Sequence, residues 1–545
     1  MRVVLGYNAV TRVLSDPLDF RNAALIISVL AVVVLGIWLA VSVLSRRRQP
    51  DEKPAQNLVK FFPDEDLEDR RLERVLATAL FWCAVAAIAL VVYGVFEPAR
   101  QSDSSSAFDS RSAERGASLF ANNQSKFYNA AASLQCANCH GLDGGGGAAA
   151  FTVPADQIPA AQWEALQIPE VARQPVQVQW KAPALNTALL KYPVRKQNCT
   201  VIETKTNPEC RSQVYDILVY GRPGSPMPPW GVAGGGAKND QAINDLVAYI
   251  AELQDDYLAK LKSEGKTTAD VANDLVKPID LAQGQAALDL PDDAWSAAFK
   301  QLTGGLDASN VFVSALQDSR TVRTNLIKDQ ADLDQVKSTP EFAAAEAALA
   351  KAQSEYLAAK AKGDASAAQA AQLAAGKLIG TKEAPGPLYP KYAVVGDKYM
   401  IGITDARLVE LDDLGRRATA GDAVAKGALL FETNCARCHT RNWSIAQASA
   451  TQASAPKAYP QGSGAFGPSL VDGATLRQFV DAQSQVSFVT QGSQYQKPYG
   501  VRGIGSGRMP AFGQWDTAST EPGLLSAEQI EQIVAYERSL GVVAP

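Results

Sequence analysis

Histidine is scarce in this chain, since its 545 residues contain only two, His140 and His439. A Ser-His-Asp triad, a histidine general base and a zinc or copper centre bound by several imidazoles need histidines that are absent. A basic excess is absent too. The formal net charge is −5 and the sequence pI is about 5.4, which gives no sign of nucleic-acid binding. Most metal and acid–base chemistry is thereby excluded.

Both histidines end the same short motif. The two copies are Cys136-Ala137-Asn138-Cys139-His140 and Cys435-Ala436-Arg437-Cys438-His439. On one helical turn the two cysteines share a face, so both thiols can reach the vinyl groups of one porphyrin. The imidazole that follows can then bind the iron. The motifs therefore predict two covalently bound haem c groups.

Two other uses of a Cys-x-x-Cys pair compete with haem. Zinc would need a second pair of ligands for each motif, and outside the apolar N-terminal segments only Cys199 and Cys210 remain. A thioredoxin-like redox pair is the other alternative, but the histidine after the second cysteine favours haem.

The second axial ligand cannot be another histidine, because none is left, and methionine is the natural substitute. The chain has four methionines. Met227 and Met509 lie in Pro/Gly-rich loops that can hold a thioether rigidly, whereas Met400 lies in an apolar run typical of a core residue. We expect one imidazole and one thioether on each iron: His140 with Met227, and His439 with Met509.

Two parts of the chain each resemble a class I c-type cytochrome. The first unit has a Gly116 segment, the haem motif, Pro183-Ala184-Leu185, the Met227 loop and a helix over residues 239–254. The second unit repeats that order with Gly427, the haem motif, Gly467-Pro468-Ser469-Leu470, the Met509 loop and a helix over residues 526–540. Ser526 followed by Gln529 predicts a capping box at the start of the last helix.

The resemblance implies further contacts. In that family the first and last helices cross closely, which suggests that Gly116 contacts Tyr249 and that Gly427 contacts Tyr536. A proline carbonyl orients the haem histidine, which implies that role for Pro183 and Pro468.

The loops between histidine and methionine are longer than the family pattern. They separate His140 from Met227 by 87 residues and His439 from Met509 by 70 residues. Within the first loop, Cys199 and Cys210 enclose a polar stretch, and we expect a disulfide between them outside the cytoplasm. Two free thiols are the alternative.

Two N-terminal segments, residues 23–44 and 75–96, are each 22 residues without a charge, which predicts two transmembrane helices. The basic residues of the connecting stretch, 45–74, predict that it is a cytoplasmic loop. Residues 1–22 and the chain from about Glu97 onward are then extracytoplasmic, at the plasma (inner) membrane, with the lipid bilayer as a partner.

The expected fold class is mainly α, with two class I cytochrome c domains at residues 97–256 and 418–545 and a helical insert at residues 257–417. Thr339-Pro340 begins a helix, Gly363-Asp364 interrupts it and residues 365–378 resume it, which predicts a helical hairpin. A helix over residues 318–337 precedes it. The insert is either a docking arm for a neighbouring subunit or a rigid spacer.

Two irons with both axial positions filled favour electron transfer over catalysis. We expect a non-catalytic subunit of a respiratory oxidoreductase that takes electrons from a quinol-oxidising complex to a terminal oxidase or a soluble carrier. The arrangement resembles the dihaem cytochrome subunit of bcc-type quinol–cytochrome c reductases and that of cbb-type haem–copper oxidases. A dihaem peroxidase or small-molecule dehydrogenase is the alternative, and it would need an iron with a labile or missing ligand.

Overall fold

The computed structural model of the chain describes residues 34, 37, 41, 72–196, 207–448, 459–515 and 522–540. The described residues are mainly helical. The chain divides into two compact units, Met1–Arg111 and Ser112–Pro545. Both haem motifs and the insert between them belong to the second unit.

Helices provide most of the described structure. Within the described residues the α-helices, numbered α1 to α19, are Leu72–Phe120, Ala137–His140, Ala160–Ala165, Ala188–Lys191, Gln213–Tyr220, Asp240–Ser263, Thr268–Leu275, Leu281–Ala287, Asp292–Thr303, Val311–Val336, Pro340–Lys362, Ala365–Ile379, Tyr389–Thr419, Ala423–Asn434, Ala436–His439, Trp443–Ala448, Ala474–Gln478, Ala482–Gln491 and Ala527–Ser539. The strands, β1 to β4, are Gly147–Val153, Val176–Ala182, Pro498–Tyr499 and Gly503–Ile504. Short 3₁₀ helices cover Ala155–Gln157, Glu170–Ala172, Pro208–Cys210 and Val232–Gly234.

The N-terminal region differs from the sequence-based prediction. No helix in the part of the chain that the structure describes combines the length and the apolar character needed to cross a bilayer. This finding corrects the prediction of a transmembrane helix at residues 75–96, and with it the fold class that had two such helices and the plasma (inner) membrane localisation that was inferred from them.

The prediction rested on the length of each uncharged run and not on how apolar the whole helix is. Residues 75–96 belong to α1, a 49-residue helix that runs on into polar sequence. Just beyond the uncharged run, Glu97 and Arg100 form an ion pair at 2.6 Å. The other predicted span, residues 23–44, lies outside the described residues except for positions 34, 37 and 41, as do residues 1–22 and most of 45–74.

The first haem-motif domain is built around the end of α1 and the helix α6. Phe120 from α1 packs with Ile243, Leu246 and Ile250 from α6 in one buried cluster. Between the haem motif and Pro183, β1 and β2 form an antiparallel pair in which Gly147 faces Ala182. This hairpin, which the sequence analysis did not predict, returns the chain from the motif to Pro183.

The second haem-motif domain repeats the helix pair with α14 and α19. Phe431 from α14 is fully buried against Ile530, Ile533 and Val534 from α19. The predicted capping box is confirmed, because the Ser526 hydroxyl accepts from the amide of Gln529 and the Gln529 side chain accepts from the amide of Ser526.

The insert is helical throughout most of its length. Its longest helices, α10 and α13, pack antiparallel, with Arg323 paired to Asp405 at 3.0 Å and Gly415 against the Phe312 ring. The predicted hairpin is confirmed as α11 and α12, which meet at Gly363 with a φ of 70°. The helix expected over residues 318–337 is α10, which begins earlier, at Val311.

The insert contacts both neighbouring domains. The α11–α12 hairpin covers the 3₁₀ helix Glu170–Ala172 of the first domain, where the Val171 amide donates to the Gln353 side chain at 3.1 Å. On the other side, Ala425 and Leu429 of α14 join the buried cluster formed by α10 and α13. The insert therefore fixes part of each flanking domain in place.

Candidate functional site

The first candidate site begins at α2, which carries the first Cys-x-x-Cys-His motif. The Cys136 and Cys139 thiols are free. The Nδ1 atom of His140 lies 2.9 Å from the carbonyl oxygen of Pro183. Since a carbonyl only accepts, Nδ1 carries the proton and Nε2 presents its lone pair. Burial lowers the pKa of His140, which favours the neutral ring that a metal requires.

The second candidate site has the same arrangement at α15. The Nδ1 atom of His439 lies 2.9 Å from the carbonyl oxygen of Pro468, and burial lowers the pKa of this histidine also. Gly467 lies directly against the imidazole, because a Cβ added there would be 2.6 Å from the ring. Only glycine leaves room for the ring at this position.

The methionine loops are held by the same hydrogen bond in both domains. Gly221 ends α5 and Gly492 ends α18, with φ values of 66° and 67°. The residue after each glycine donates its amide to the methionine carbonyl, from Arg222 to Met227 at 3.0 Å and from Ser493 to Met509 at 3.1 Å. Each thioether therefore extends from a loop whose backbone is anchored to a helix end.

The helix crossing that frames each site is close. A Cβ on Gly116 would lie 2.0 Å from the carbonyl oxygen of Asp245 and 2.7 Å from the Tyr249 Cβ. A Cβ on Gly427 would lie 1.9 Å from the carbonyl oxygen of Gln532 and 3.0 Å from the Tyr536 Cβ. The contacts expected at both glycines are present.

A large cavity connects the predicted site residues of the first domain. Its volume is about 1680 Å³, above the roughly 300–1,000 Å³ usual for small-molecule pockets. The first-domain site residues that line it are Cys136, Cys139, His140, Pro183 and Met227.

The second domain contributes differently. Of its predicted site residues, Cys438 lines the large cavity, whereas Cys435, His439, Pro468 and Met509 do not. Met509 lines a separate pocket of about 20 Å³ beside Lys191 and Tyr192 of the first domain. The structure thus brings the first set together around one open space, which Cys438 of the second set also lines.

The side chains of Trp230 and Trp443 line the cavity, with their indole nitrogens turned into the protein and without a hydrogen-bond partner among the described residues. The two cysteine pairs and the two proline-oriented histidines fit haem c. Among the described residues no group of three or more His, Cys, Asp or Glu side chains could hold a metal ion directly.

The predicted disulfide falls partly outside the described region. Cys210 is disulfide-bonded and lies in the 3₁₀ helix Pro208–Cys210. Cys199, its predicted partner, is not among the described residues, so the pairing stays a prediction.

Sequence reasoning missed two kinds of site residue. Gly221 and Gly492 hold the methionine loops, and the signal was present as a glycine that ends an apolar helix before each loop. Basic side chains also gather at the cavity, as described below, but three of the four are far from the haem motifs in sequence. Only Arg437, inside the second motif, could have been noticed.

Comparison with known proteins agrees with this geometry. The model of the Cytochrome c family matches two regions of the chain, residues 113–254 and 424–541. No curated protein and no solved structure matches the chain. The two matched regions contain both motifs, both methionine loops and both helix crossings. The chain therefore has two cytochrome c domains, which imply covalently bound haem c and indicate an electron-transfer haem protein.

Proposed function

We propose that this protein is a dihaem electron carrier of a respiratory chain, in which each cytochrome c domain holds one haem c and electrons pass between the domains. The observation that carries the proposal is the first cavity, where the His140 imidazole and the Met227 thioether line one space with both cysteines. The second domain has the same motif, the same histidine–proline hydrogen bond and the same methionine loop.

The chain's own residues have distinct roles in this proposal. Cys136 and Cys139, and likewise Cys435 and Cys438, would form the covalent bonds to haem. Haem supplies one-electron chemistry at its iron when bound. The Pro183 and Pro468 carbonyls fix the tautomer and the orientation of the two imidazoles.

The proposed ligands favour transfer of electrons over turnover of a substrate. If His140 and Met227 hold one iron and His439 and Met509 the other, no coordination position would remain for peroxide or another small molecule. The loops of Met227 and Met509 are each anchored by a backbone hydrogen bond, which speaks against the labile or missing ligand that the peroxidase or dehydrogenase alternative needs.

The proposed partners are other redox proteins. A quinol-oxidising complex would be the donor, and a terminal oxidase or a soluble carrier would be the acceptor. The net charge of −5 favours partners that present a basic docking surface, because complementary charge speeds association.

The test has three readings on the purified protein. Pyridine haemochrome analysis is expected to give two covalently bound haems per chain, and redox titration two one-electron components. Carbon monoxide and cyanide are expected to leave the spectra of both haems unchanged at neutral pH. Fewer than two haems, or rapid binding of either ligand with peroxide turnover, would overturn the proposal.

The respiratory role needs a reconstituted assay. When the protein is added to a quinol-oxidising complex and a terminal oxidase, it is expected to restore oxygen consumption. The rate is expected to fall as the salt concentration is raised. Equal rates with and without the protein would remove the respiratory assignment while leaving the two-haem assignment intact.

A further inference from the structure

Four basic side chains gather in the cavity where the two cytochrome c domains meet. Lys181 at the end of β2, Lys191 at the end of α4 and Arg222 in the Met227 loop come from the first domain. Arg437 comes from the second domain, between the two cysteines of its haem motif. All four are partly buried and line the same space.

The contacts of the two arginines place them at the junction. The guanidinium of Arg437 donates to the carbonyl oxygen of Lys181, 256 residues away, and lies 5.1 Å from the Trp443 ring. Arg222 donates to the hydroxyl of Tyr192 at 3.2 Å. Both guanidiniums are thus held in position, and Arg437 crosses from one domain to the other.

None of the four cations forms an ion pair with a carboxylate of the described residues. Two carboxylates act on Lys181 at longer range, Asp318 and Glu432. Glu432 is already paired with Arg407. The charged or titratable groups that act on Lys191 are Arg437, Arg222 and the Cys438 sulfur, and this sulfur carries no charge once it is bound to haem.

Concentrating positive charge in this way is unfavourable without a counter-charge. Burial, together with repulsion from Arg437 and Arg222, lowers the pKa of Lys191 to about 8. Unpaired charges that are shielded from bulk water are unfavourable, so these cations favour the binding of an anionic group in the cavity.

All five first-domain site residues line the cavity, together with Cys438 of the second motif, whereas His439 and Met509 do not. Arg437 also acts electrostatically on the His140 imidazole. An anion held by Arg437 therefore lies within reach of the first motif's cofactor. Haem c carries two propionate carboxylates, which a cluster of Lys and Arg side chains suits in chemistry.

We propose that Lys191, Arg222 and Arg437 bind propionate carboxylates of the first domain's haem, so that the second domain supplies part of the first haem's site through Arg437. The inference rests on the proposed function. It makes Arg437 a positioning and potential-setting residue for the haem that its own motif does not bind.

The test is a redox titration of the intact protein with both haems present. A positive charge near a haem disfavours the oxidised state, so its removal lowers the reduction potential. Met227→Leu identifies which redox component belongs to the first haem. In Arg437→Gln the reduction potential of that component is expected to fall by ~59 mV, which for one electron is about a tenfold change in the ratio of reduced to oxidised haem. Arg441→Gln is the matched control, because Arg441 is exposed and contacts the Tyr459 ring.

Because Arg437 lies inside the second motif, its replacement could impair haem attachment there, and further variants control for this. Lys191→Met and Arg222→Gln lie outside both motifs and are expected to lower the same component. Arg437→Lys, which keeps the charge, is expected to restore most of the potential. The shifts are expected to persist at 1 M salt, since salt screens even partly buried charges much less than exposed ones.

Three results would overturn the inference. The first is an unchanged potential of the first haem in all three variants, Arg437→Gln, Lys191→Met and Arg222→Gln. The second is a shift that is confined to the second haem. The third is a potential of the first haem that falls in the unmodified protein as phosphate is added. The last result would mean that a free anion fills the cluster. If any of them occurs with two haems per chain, this inference fails while the proposed function stands.

Discussion

The backbone amide of Ala511 donates to the carbonyl oxygen of Lys191, with nitrogen and oxygen 2.8 Å apart. Ala511 lies two residues after Met509 in the second domain, and Lys191 ends α4 in the first. Arg195 adds a second connection, since its guanidinium lies 5.5 Å from the Trp515 ring. The proposed thioether ligand of the second domain is therefore supported by the first domain, and the two sites form one structural unit.

The first prediction concerns the axial methionines. Met227→Leu and Met509→Leu keep the side-chain volume but remove the sulfur, so each is expected to lower the potential of one haem. Each is also expected to abolish the methionine–iron charge-transfer band of that haem, measured by absorption spectroscopy of the oxidised protein.

The control for that pair is Met400→Leu. Met400 is buried in α13 with 3% of its surface exposed, so the same change there tests the general effect of replacing a buried methionine. Both bands are expected to survive. If Met400→Leu removes a band and Met227→Leu does not, the axial assignment is wrong.

The second prediction concerns the glycines that hold the methionine loops. A Cβ on Gly221 would lie 2.7 Å from the Met227 carbonyl oxygen, and one on Gly492 would lie 2.5 Å from that of Met509. Gly221→Ala and Gly492→Ala are therefore expected to displace the loop and weaken the charge-transfer band of the corresponding haem at neutral pH.

Gly224→Ala separates contact from backbone strain in the same loop. Gly224 has a φ of 77°, but a Cβ there would meet nothing within 4 Å. This variant is expected to lose about 1 kcal/mol of unfolding free energy and keep its band. Equal loss of the band in Gly224→Ala and Gly221→Ala would show that strain, and not the carbonyl contact, is responsible.

The third prediction concerns the crossing of the first and last helices of each domain. In Gly116→Ala and Gly427→Ala the new methyl group meets a backbone carbonyl at 2.0 and 1.9 Å, and backbone cannot move aside as a side chain can. Each change is expected to lower the free energy of unfolding by about 2–3 kcal/mol, measured by denaturant unfolding.

Gly402→Ala is the matched control, because Gly402 lies on the exposed face of α13 with nothing within 4 Å of an added Cβ. It is expected to raise the unfolding free energy by about 0.5–1 kcal/mol, since alanine favours a helix over glycine. Destabilisation of similar size in all three variants would argue against a tight crossing.

Much of each site could be predicted from local sequence. The haem motifs, the methionine loops, the capping box at Ser526 and the hairpin at Gly363 each depend on residues close together in the chain. Local patterns determine these features because capping, helix breaking and motif spacing act over a few residues.

The junction between the domains could not be predicted in this way. Arg437 and the Lys181 carbonyl are 256 residues apart, and their contact depends on how the whole insert packs. The β1–β2 hairpin was missed because its first strand, Gly147–Val153, is rich in alanine and follows a glycine run. The transmembrane prediction for residues 75–96 was wrong because it relied on the length of an uncharged run, which here is part of a 49-residue helix that continues into polar sequence.

The fourth prediction is a pH dependence that originates at Glu537. This residue of α19 is buried, its carboxylate accepts from the Gln485 side chain at 2.8 Å, and burial raises its pKa to about 7. Below the unfolded pKa of about 4.5 the carboxyl is neutral in both states and does not lower the free energy of unfolding. As the pH rises from there through the folded pKa of about 7, the buried carboxyl increasingly destabilises the fold. Glu537→Gln mimics the neutral form and keeps the hydrogen bond, so it is expected to match the unmodified protein at pH 4.5 and to be about 2–3 kcal/mol more stable at pH 8. The measurement is denaturant unfolding across this pH range. The control is Glu531→Gln, since Glu531 is exposed on the same helix. It is expected to change the free energy of unfolding by less than about 0.5 kcal/mol at every pH. A Glu537→Gln variant that gains nothing between pH 4.5 and pH 8 would mean that the carboxyl is already ionised and accommodated at neutral pH.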